Sequence, residues 1–419
     1  MSQAIQGPRG TQDILPAQSY KWLYAEAFLR QVVENYGYRE IRLPTFEHTE
    51  LFLRGVGETT DIVGKEMYTF DDKAQRSLTL RPEGTSSTVR AVMQHGLMGG
   101  TLPLKAYYLQ SCFRYEKPQK GRLREFHQIG IEAFGATGPE VDVEVIATGA
   151  AILAAAGINN TRLEVNSLGC PNCRPKYLQA LRDYFAQYES SLCETCQSRL
   201  EKNPLRILDC KSPQDQEVAK NAPLMQDYLC EECEEHFQGV KKGLDNIGIP
   251  YLVNPTIVRG LDYYTKTVFE FIHTGAGAQG TVCGGGRYDG LFEELGGPPT
   301  PGIGFGLGIE RLLMVMEAEG STIPQPAGPA LYVGNIGPAG AQAAQRLVQQ
   351  MRMAGFFAEC DVMNRSLKAQ MRYADKIGAA YSLVLGDEEV EAEKAKLKNM
   401  QTGEEKEIAL ADILAFFQK

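Results

Sequence analysis

The sequence predicts an α+β protein whose main body is built on an antiparallel sheet, followed by a smaller α/β module. Strand-like runs, YYLQSCFRYE and HQIGIEAFG, flank a basic turn between residues 107 and 135. Glycine alternates with apolar residues at 302–308 and leads into an apolar helix. Strand-like and helical segments are both present along this body, which predicts the α+β class. The antiparallel arrangement of the sheet is implied by a family resemblance described below.

Local residue patterns predict the individual helices and strands. An amphipathic helix is predicted after Pro16, and β-branched and aromatic residues favour strands in the segment that ends at FEFIHT. The predicted order is a helix at 17–36, a strand at 38–43, a helix at 84–97, the strand pair around the basic turn, a helix at 139–157, and the glycine-rich strand with its helix at 302–319.

Shifts in composition divide the chain. A cysteine-rich, charged stretch interrupts the body, and the proline-rich segment STIPQPAGP precedes a final region in which strands and helices alternate. We therefore predict a body at 1–168 and 241–320, an insertion at 169–240, a linker at 321–328 and a C-terminal α/β module at 329–419.

Composition narrows the functional class. The chain has 419 residues, 43% of them hydrophobic and 23% charged, which is ordinary for a globular enzyme of two or three domains. A net charge of -9 excludes a protein that coats nucleic acid through its overall field, so RNA binding requires local basic patches. The sequence has neither a window of eighteen apolar residues nor a secretory signal, and we expect a cytoplasmic protein without membrane spans.

Two arginine-bearing stretches carry the first functional signal. FRYEKPQKGRLREF at 113–126 predicts a strand, a basic turn and a return strand, with Arg114 and Glu116 on one strand face. The stretch GIGFGLGIERLL at 302–313 predicts a strand in which every second residue is glycine. A helix that carries Glu310 and Arg311 in its first turn is predicted to follow this strand. For each stretch alone, surface arginines paired with carboxylates are an equally good explanation.

Together these stretches resemble motifs 2 and 3 of the class II aminoacyl-tRNA synthetases, whose antiparallel sheet binds ATP. No P-loop sequence is present, which agrees with that resemblance. GYREIRLPTFE around Pro44 resembles motif 1, which implies a homodimer. RGLDYYTKTVFEF at 259–271 and GGGRYDGL at 284–291 resemble the signatures of the histidyl-tRNA synthetase family. PRGTQDILP, TLRPEGT and FHQIGIEAFG extend this resemblance over essentially the whole chain.

The resemblance implies a histidine-tRNA ligase that uses ATP with Mg²⁺, L-histidine and tRNA(His). Arg114 would bind the α-phosphate, and Arg311 would reach the nucleotide from the opposite side. Arg259 would be the main catalytic residue at the reacting carboxylate, and its alternative is an ordinary ion pair with Asp262 or Glu270. The remaining ATP-binding residues implied by the resemblance are Glu116, Arg122, Phe126 and Glu310.

Recognition of histidine requires polar groups that read two ring nitrogens. By the resemblance, Glu132 and Tyr264 would bracket the imidazole ring. The resemblance also implies that the α-amino group is held by Glu83, Thr85 and Gln128, together with Arg259 at the carboxylate, and that the pocket is closed by Tyr263 and Tyr288.

Basic patches identify candidate contacts with tRNA. Gln119, Lys120 and Arg124 lie in the predicted motif 2 turn, where the acceptor end must approach. In the C-terminal module, which resembles the family's anticodon-binding domain, Arg365, Lys368 and Arg372 are spaced to form one face of a helix. A solvated helix face is the alternative for this second patch.

Seven of the ten cysteines lie between residues 170 and 233. Three C-x-x-C pairs in a predicted cytosolic chain favour a structural Zn²⁺ over disulfides. We expect the outer pairs, Cys170 with Cys173 and Cys230 with Cys233, to bind it. Seven thiols exceed one tetrahedral site, so an idle pair or participation of His236 stays open, as does the alternative of reduced, partly buried cysteines.

Two other functions stay open at this stage. A synthetase-like regulatory subunit of histidine biosynthesis would share the body without aminoacylation, but the C-terminal module and the set of Arg114, Arg259 and Arg311 speak against it. A zinc-dependent nucleic-acid-binding protein with a vestigial core would fit the cysteines, but the acidic net charge and the complete pocket speak against it.

Overall fold

A computed structural model describes residues 4–57, 60–210, 212–275 and 280–418. The chain forms two compact units, Met1–Ile323 and Pro324–Lys419. None of the helices in the described part of the chain combines the length and the apolar character that crossing a bilayer demands.

The first unit begins with the elements that build most of its sheet. In chain order these are α1 (Pro16–Asn35), β1 (Arg39–Glu40), β2 (Phe46–His48), α2 (Thr49–Val56), β3 (Tyr68–Asp71), β4 (Ser77–Leu80), α3 (Thr85–Gln94), β5 (Leu104–Phe113), β6 (Glu125–Phe134), α4 (Pro139–Ala155) and β7 (Thr161–Ser167). Five helices follow: α5 (Arg174–Ala186), α6 (Glu194–Lys202), α7 (Leu205–Leu208), α8 (Pro213–Ala219) and α9 (Glu231–Asn246). The unit closes with β8 (Leu252–Val253), β9 (Thr265–His273), β10 (Thr281–Arg287), α10 (Leu291–Glu294), β11 (Gly302–Gly308) and α11 (Ile309–Ala318).

An eight-stranded sheet organises this unit, in the order β1-β5-β6-β11-β10-β9-β7-β8. Every neighbouring pair from β5 to β7 is antiparallel, and only the edge pairs β1 with β5 and β7 with β8 are parallel. The predicted α+β fold on an antiparallel sheet is therefore confirmed. The strand predicted at 38–43 is shorter than expected, since only Arg39–Glu40 pairs with β5.

The two faces of the sheet differ because side chains alternate along each strand. On β6, Ile129 and Ile131 join a large apolar core that also contains Leu29 of α1, Ile146 of α4 and Leu312 of α11. The intervening side chains of β6 point to the opposite face, which is covered by α3 and the loops before β9. That opposite face forms the candidate site.

The insertion has its own small core. Buried side chains from α5 to α9 pack together, among them Tyr177, Leu181, Phe185 and Ile207. Helix α9 also carries Phe237 and Val240 into the core of the body. The insertion is therefore attached to the body through α9.

A buried ionic network strengthens this attachment. Asp142 of α4 is fully buried and accepts hydrogen bonds from Arg287 Nη2 at 2.6 Å and from Thr267 Oγ1 at 2.7 Å. His236 of α9 lies 2.5 Å from the same carboxylate. Burial acts to raise the pKa of Asp142, but the hydrogen bond to His236 and the charge of Arg287 outweigh it and lower that pKa. Among the described residues, His236 belongs to neither group of potential metal ligands that come together in the insertion.

The second unit is a small α/β module. Its elements are β12 (Leu331–Asn335), α12 (Gly337–Met353), β13 (Ala358–Cys360), α13 (Leu367–Lys376), β14 (Tyr381–Leu385), α14 (Asp387–Ala392), β15 (Lys394–Asn399), β16 (Glu405–Ala409) and α15 (Ile413–Phe417). Its five-stranded sheet has the order β13-β12-β14-β15-β16, with β12 parallel to β13 and to β14. The predicted C-terminal α/β fold is confirmed.

Candidate active site

Glycines of β10 and β11 form a flat floor on the open face of the sheet. Gly284 pairs with Gly306 across the two strands. A Cβ at Gly284 would lie 2.6 Å from the guanidinium of Arg259, and a Cβ at Gly306 would lie 2.6 Å from the amide of Gln128. A larger residue at either position would therefore displace the end of the polar side chain that lies over the floor.

Glu132 of β6 is the central buried carboxylate of the cleft. It is 1% exposed and lies opposite Gly304 of β11. Its Oε1 accepts hydrogen bonds from Thr85 Oγ1 at 2.8 Å and from Tyr108 OH at 3.2 Å, and Tyr288 OH donates to its Oε2. Burial raises the pKa of Glu132 to about 8, although these three hydroxyl groups act to lower it.

Tyr108 is a pocket residue that the sequence analysis missed. Its ring packs so closely on Gly84 and Gly130 that a Cβ on either glycine would overlap it. The available signal was the pair of glycines in PEGT and HQIGIE, each of which leaves room for a neighbouring ring. Tyr108 and Thr85 together orient one oxygen of Glu132.

Glu83 lies two residues before the first residue of helix α3 and contacts the first turn of that helix. Its two carboxylate oxygens accept hydrogen bonds from the backbone N–H of Thr85 at 2.6 Å and of Ser86 at 2.9 Å. A carboxylate is favoured at a helix N-terminus because the first N–H groups have no intrahelical partner. Each oxygen retains a lone pair, so Glu83 can still accept a hydrogen bond from an ammonium group.

Three tyrosines form one wall of the cleft and belong to the same apolar cluster as Val89 and Val92 of α3. Tyr263 and Tyr264 have ring centroids 4.8 Å apart, and Tyr263 and Tyr288 have centroids 5.5 Å apart in an edge-to-face arrangement. All three side chains are buried. The wall is apolar except for its hydroxyl groups.

Arg259 lies at the edge of the floor, where its guanidinium donates to the carboxylate of Glu270 on β9. The guanidinium carbon is 5.9 Å from the centroid of the Tyr264 ring. Burial acts to lower the pKa of Arg259, but the Glu270 carboxylate outweighs it and raises that pKa. The ion pair with Glu270 that we considered as an alternative is thus present, and it holds the guanidinium over Gly284.

Arg114 is the first residue after β5, and its backbone N–H donates to the carbonyl of Arg124, which precedes β6. Its Nε donates to the carbonyl of Pro82 at 2.8 Å, and its guanidinium carbon is 5.3 Å from the Phe126 ring centroid. The prediction that Arg114 and Glu116 share a strand face is wrong, because β5 ends at Phe113. Glu116 instead accepts a hydrogen bond from Arg122 Nη1 at 2.7 Å across the turn.

Glu310 and Arg311 occupy the first turn of α11, as the sequence places them after the glycine-rich strand. Glu310 accepts hydrogen bonds from the backbone N–H of His127 at 2.8 and 3.1 Å and lies 2.9 Å from its Nδ1. Arg311 Nη1 donates to the carbonyl of Thr281 at 2.5 Å. Burial and the nearby positive charge of Arg122 lower the pKa of Arg311. His127 is a second residue that sequence reasoning missed.

The family model described as histidyl-tRNA synthetase matches residues 10–312, which include every residue of this cleft. The chain belongs to the histidyl-tRNA synthetase family. A second family model, described as an anticodon binding domain, matches residues 331–419.

Relatives within this family match over nearly the full length. The histidine--tRNA ligase of Acetivibrio thermocellus is 54% identical over 410 residues, which cover 98% of each chain. The enzyme of the same name from Caldanaerobacter subterraneus subsp. tengcongensis is 55% identical over 406 residues, which cover 97% of each chain. Identity of this extent supports the ligase over the regulatory-subunit alternative.

Solved structures of the family agree in fold. The apo histidyl-tRNA synthetase of S. aureus is 41% identical and has a TM-score of 0.85, with 99% of this chain and 100% of that chain covered. A protein from Bacillus halodurans C described as an ATP phosphoribosyltransferase regulatory subunit/histidyl-tRNA synthetase has a TM-score of 0.65 at 21% identity and shares the fold.

The turn that joins β5 and β6 contains the residues predicted to contact the acceptor end of tRNA. Gln119 and Arg122 pair through two backbone hydrogen bonds of 3.0 and 2.9 Å, and Gln119 and Lys120 are exposed at the tip. Arg124 is held by its own neighbours, since its guanidinium carbon lies 3.7 Å from the ring centroid of Tyr115. Its Nε also donates to the carbonyl of Glu116 at 3.2 Å.

The prediction of a basic helix face in the anticodon-binding module is only partly correct. Lys368 and Arg372 are exposed on α13, but Arg365 precedes the helix, which begins at Leu367. Arg365 Nη1 donates to Asp361 at 2.9 Å, and its guanidinium carbon is 4.4 Å from the ring centroid of Tyr373. A helix spacing in the sequence could not reveal that the chain turns at Ser366.

Four cysteines in the insertion lie close together in the folded chain. The Sγ atoms of Cys170, Cys173, Cys230 and Cys233 all lie within 4.8 Å of one another. The distance from Cys170 Sγ is 3.6 Å to Cys173 Sγ and 3.9 Å to Cys230 Sγ. These are the two outer pairs that the spacing predicted as ligands, although α5 to α8 separate them in sequence.

Proposed function

We propose that the cleft activates L-histidine with ATP and then transfers the histidyl group to the 3′ end of tRNA(His). The observation that carries this proposal is the buried carboxylate of Glu132, held by three hydroxyl groups at the end of a glycine floor that has Arg259 above it. Membership of the family and full-length identity to histidine--tRNA ligases support it.

Glu132 and Tyr264 are the proposed contacts for the imidazole ring. A neutral imidazole offers one N–H donor and one acceptor. The Glu132 carboxyl group can serve either, because it accepts a hydrogen bond when ionised and can donate one when protonated, and the Tyr264 hydroxyl group can serve the other. The α-amino group of histidine is positive and would be placed at Glu83, Thr85 and Gln128. A phenyl ring would leave Glu132 without its partner, so the pocket should reject phenylalanine by a factor of roughly 10⁴ to 10⁵.

The nucleotide is proposed to lie along the other end of the floor. Phe126 offers an aromatic face and Arg114 a permanent positive charge for the α-phosphate, while Arg311 approaches from α11. Glu116 and Arg122 would border the nucleotide across the turn. Mg²⁺ would enter with the phosphates, and because it prefers oxygen ligands the carboxylates of Glu116 and Glu310 are its candidate protein contacts.

The chemistry requires positioning and charge more than proton transfer. The histidine carboxylate is already ionised at neutral pH, so its oxygen can attack the α-phosphorus without a general base. The bond from the α-phosphorus to the bridging oxygen breaks, and pyrophosphate leaves with its electrons. A terminal ribose hydroxyl of the tRNA then attacks the activated carbonyl carbon, the bond from that carbon to the phosphate oxygen breaks so that AMP leaves, and the hydroxyl proton is lost to solvent. Arg259 and Arg114 stabilise the negative charge that collects between carboxylate and phosphate.

Two surfaces are proposed to hold the tRNA. Gln119 and Lys120 at the exposed tip of the motif 2 turn would meet the acceptor end. Lys368 and Arg372 of the anticodon-binding module would contact anticodon phosphates, because exposed cations without base-specific geometry bind mainly to the backbone. Arg124 and Arg365 would act by shaping these surfaces, since both side chains have internal partners.

We further propose that the protein is a cytoplasmic homodimer that uses the segment around Pro44 at its interface. The support is the resemblance of this segment to motif 1. Sedimentation velocity of the full chain would measure the mass, and a monomer across the micromolar range would contradict the dimer.

The first cysteine cluster is proposed to bind a structural Zn²⁺. Four thiolates about one zinc with bonds of about 2.3 Å have sulfur atoms about 3.8 Å apart. The distances of 3.6 and 3.9 Å from Cys170 to two of its partners agree with this geometry. The backbone N–H of Cys230 donates to Cys173 Sγ at 3.1 Å, as is usual for a ligand whose charge is partly neutralised by the backbone.

Histidine-dependent exchange of pyrophosphate into ATP tests the catalytic proposal before any tRNA is added. We expect exchange with histidine, inhibition by histidinol, and no exchange with phenylalanine. Addition of tRNA(His) should then yield histidyl-tRNA. A folded wild-type protein without histidine-dependent exchange would overturn the proposal and favour the regulatory subunit.

A further inference from the structure

The insertion contains a second cluster of metal-ligating groups, formed by Cys193, Cys196, Cys210 and Asp215. One ligand atom of each residue lies within 4.8 Å of all the others. Cys193 and Cys196 lie at the start of α6, Cys210 lies two residues after the end of α7, and Asp215 lies in the first turn of α8. None of them belongs to the cleft or to the first cysteine cluster.

The distances between these groups suit a tetrahedral ion. Cys193 Sγ and Cys210 Sγ are 3.9 Å apart, close to the separation of about 3.8 Å expected for two thiolates on one zinc. Asp215 Oδ2 lies 3.0 Å from Cys210 Sγ, on the same side as the thiols. The other oxygen, Oδ1, accepts the backbone N–H of Cys193 at 3.0 Å, which fixes the direction of the carboxylate.

The burial of these side chains is a second observation that favours a bound metal ion, in addition to the distances between them. Asp215 and Cys196 are 0% exposed. In the described part of the chain, no lysine, arginine or histidine forms an ion pair with Asp215. A buried carboxylate without a cation is costly unless something else supplies positive charge. A divalent ion among the thiols would supply that charge.

The number of cysteines in the insertion then has an explanation. Four of the seven thiols belong to the first cluster, and three remain. Three thiols cannot complete a tetrahedral site by themselves, but Asp215 provides the fourth ligand. The backbone N–H of Ser212 points to Cys210 Sγ at 3.4 Å and would stabilise the thiolate.

We propose that Cys193, Cys196, Cys210 and Asp215 form a second structural zinc site in the insertion. Soft thiolates with one carboxylate favour Zn²⁺ over Mg²⁺ or Ca²⁺, and four protein ligands leave no open position for catalysis. Binding releases the thiol protons to solvent, so the affinity increases with pH.

The site has a structural role next to the cleft. It joins α6, α7 and α8, and the first two of these helices support the loop that carries Arg259. Arg206 Nη2 donates to the carbonyl of Gly260 at 2.7 Å, and Asn203 Nδ2 donates to Asp262 at 3.2 Å. We therefore expect loss of the metal to raise the KM for histidine in pyrophosphate exchange.

The test is the zinc content of the full-length protein, purified without added chelator and measured by mass spectrometry of the metal. Wild type should carry two equivalents. Cys233→Ser, which disrupts only the first cluster, should keep one, and Cys210→Ser should also keep one. Cys360→Ser in the C-terminal unit is the control and should keep two, because it touches neither cluster.

The outcomes separate this site from the first one. Folded Cys233→Ser without zinc would overturn the second site, whereas one equivalent in that variant supports it even if the first cluster proves empty. Replacement of zinc by Co²⁺ in Cys233→Ser should give the thiolate charge-transfer band of a tetrahedral site, and Asp215→Ala should alter that band. If Cys210→Ser does not fold, the wild-type protein is treated with chelator and titrated with zinc. Saturation at two equivalents supports the second site, and saturation at one equivalent contradicts it.

Discussion

The guanidinium of Arg259 and the carboxylate of Glu270 form an ion pair over Gly284, on the face of the sheet opposite the apolar core. The pair holds the Arg259 guanidinium at the edge of the glycine floor before any substrate arrives. Preorganised charge of this kind stabilises a transition state without reorganisation during the reaction.

Replacement of Arg259 by alanine should reduce the rate of histidine-dependent pyrophosphate exchange by roughly 100- to 1000-fold. The reason is the loss of a fixed donor at the reacting carboxylate and α-phosphate. The matched control is Arg162→Ala, which removes an arginine paired with Glu164 at the sheet edge. Equal exchange rates in Arg259→Ala and wild type would refute the assigned role.

Replacement of Glu132 by glutamine should increase stability at pH 8 and above while it weakens histidine binding. The folded protein holds the Glu132 proton up to about pH 8, whereas the ordinary pKa is 4.5. Between these values the native state binds more protons than the unfolded chain, so the free energy of unfolding falls as pH rises.

Glutamine cannot ionise, and this dependence on pH should become flatter in the variant. Urea unfolding of wild type and Glu132→Gln from pH 5 to pH 8.5, with the histidine Kd measured in parallel, tests both effects. Parallel pH profiles for the two proteins would contradict the assignment.

An added methyl group on the floor should block the site. In Gly304→Ala the new Cβ would overlap the Glu132 carboxylate and the carbonyl of Ile131, so the carboxylate must move. A displacement of this size typically costs roughly 100-fold in rate. Gly99→Ala serves as the control, because a Cβ at Gly99 meets nothing within 4 Å. Steady-state exchange kinetics would compare the two, and a normal kcat/KM in Gly304→Ala would be the contrary result.

Asp142→Asn should destabilise the body by about 3 to 5 kcal/mol, because it removes the fully buried anion of the network. The buried charge of Arg287 would then keep only the partly exposed carboxylate of Asp289 as an ionic partner. Denaturation in urea gives this difference. Glu217→Gln is the comparison, since its ion pair with Lys220 is exposed and worth about 1 kcal/mol or less. Similar losses in both variants would mean that the buried network contributes no more than a surface pair.

Lys120→Ala should weaken tRNA charging without changing pyrophosphate exchange. Lys120 lies at the exposed tip of the motif 2 turn, and a contact to phosphate contributes roughly one unit to the slope of log affinity against log salt. Binding of tRNA(His) over a series of salt concentrations would measure that slope. Lys73→Ala, in another exposed turn, is the control. An unchanged slope in Lys120→Ala would place the tRNA elsewhere.

The sequence by itself determined the antiparallel sheet, the α/β module and the family. Alternation of apolar and glycine residues is a local pattern, and strands obey it because successive side chains point to opposite faces. The outer cysteine pairs were also predictable, since C-x-x-C spacing places two thiols in one turn.

Only the tertiary structure decided which distant groups meet. Tyr108 and Tyr288 reach Glu132 from β5 and from the end of β10, and no spacing links them. Local reasoning failed where a strand or helix ended earlier or began later than its pattern, as at Arg114 and Arg365. Asp215 was not predicted as a metal ligand, because a lone aspartate becomes a candidate ligand only when packing buries it among three thiols.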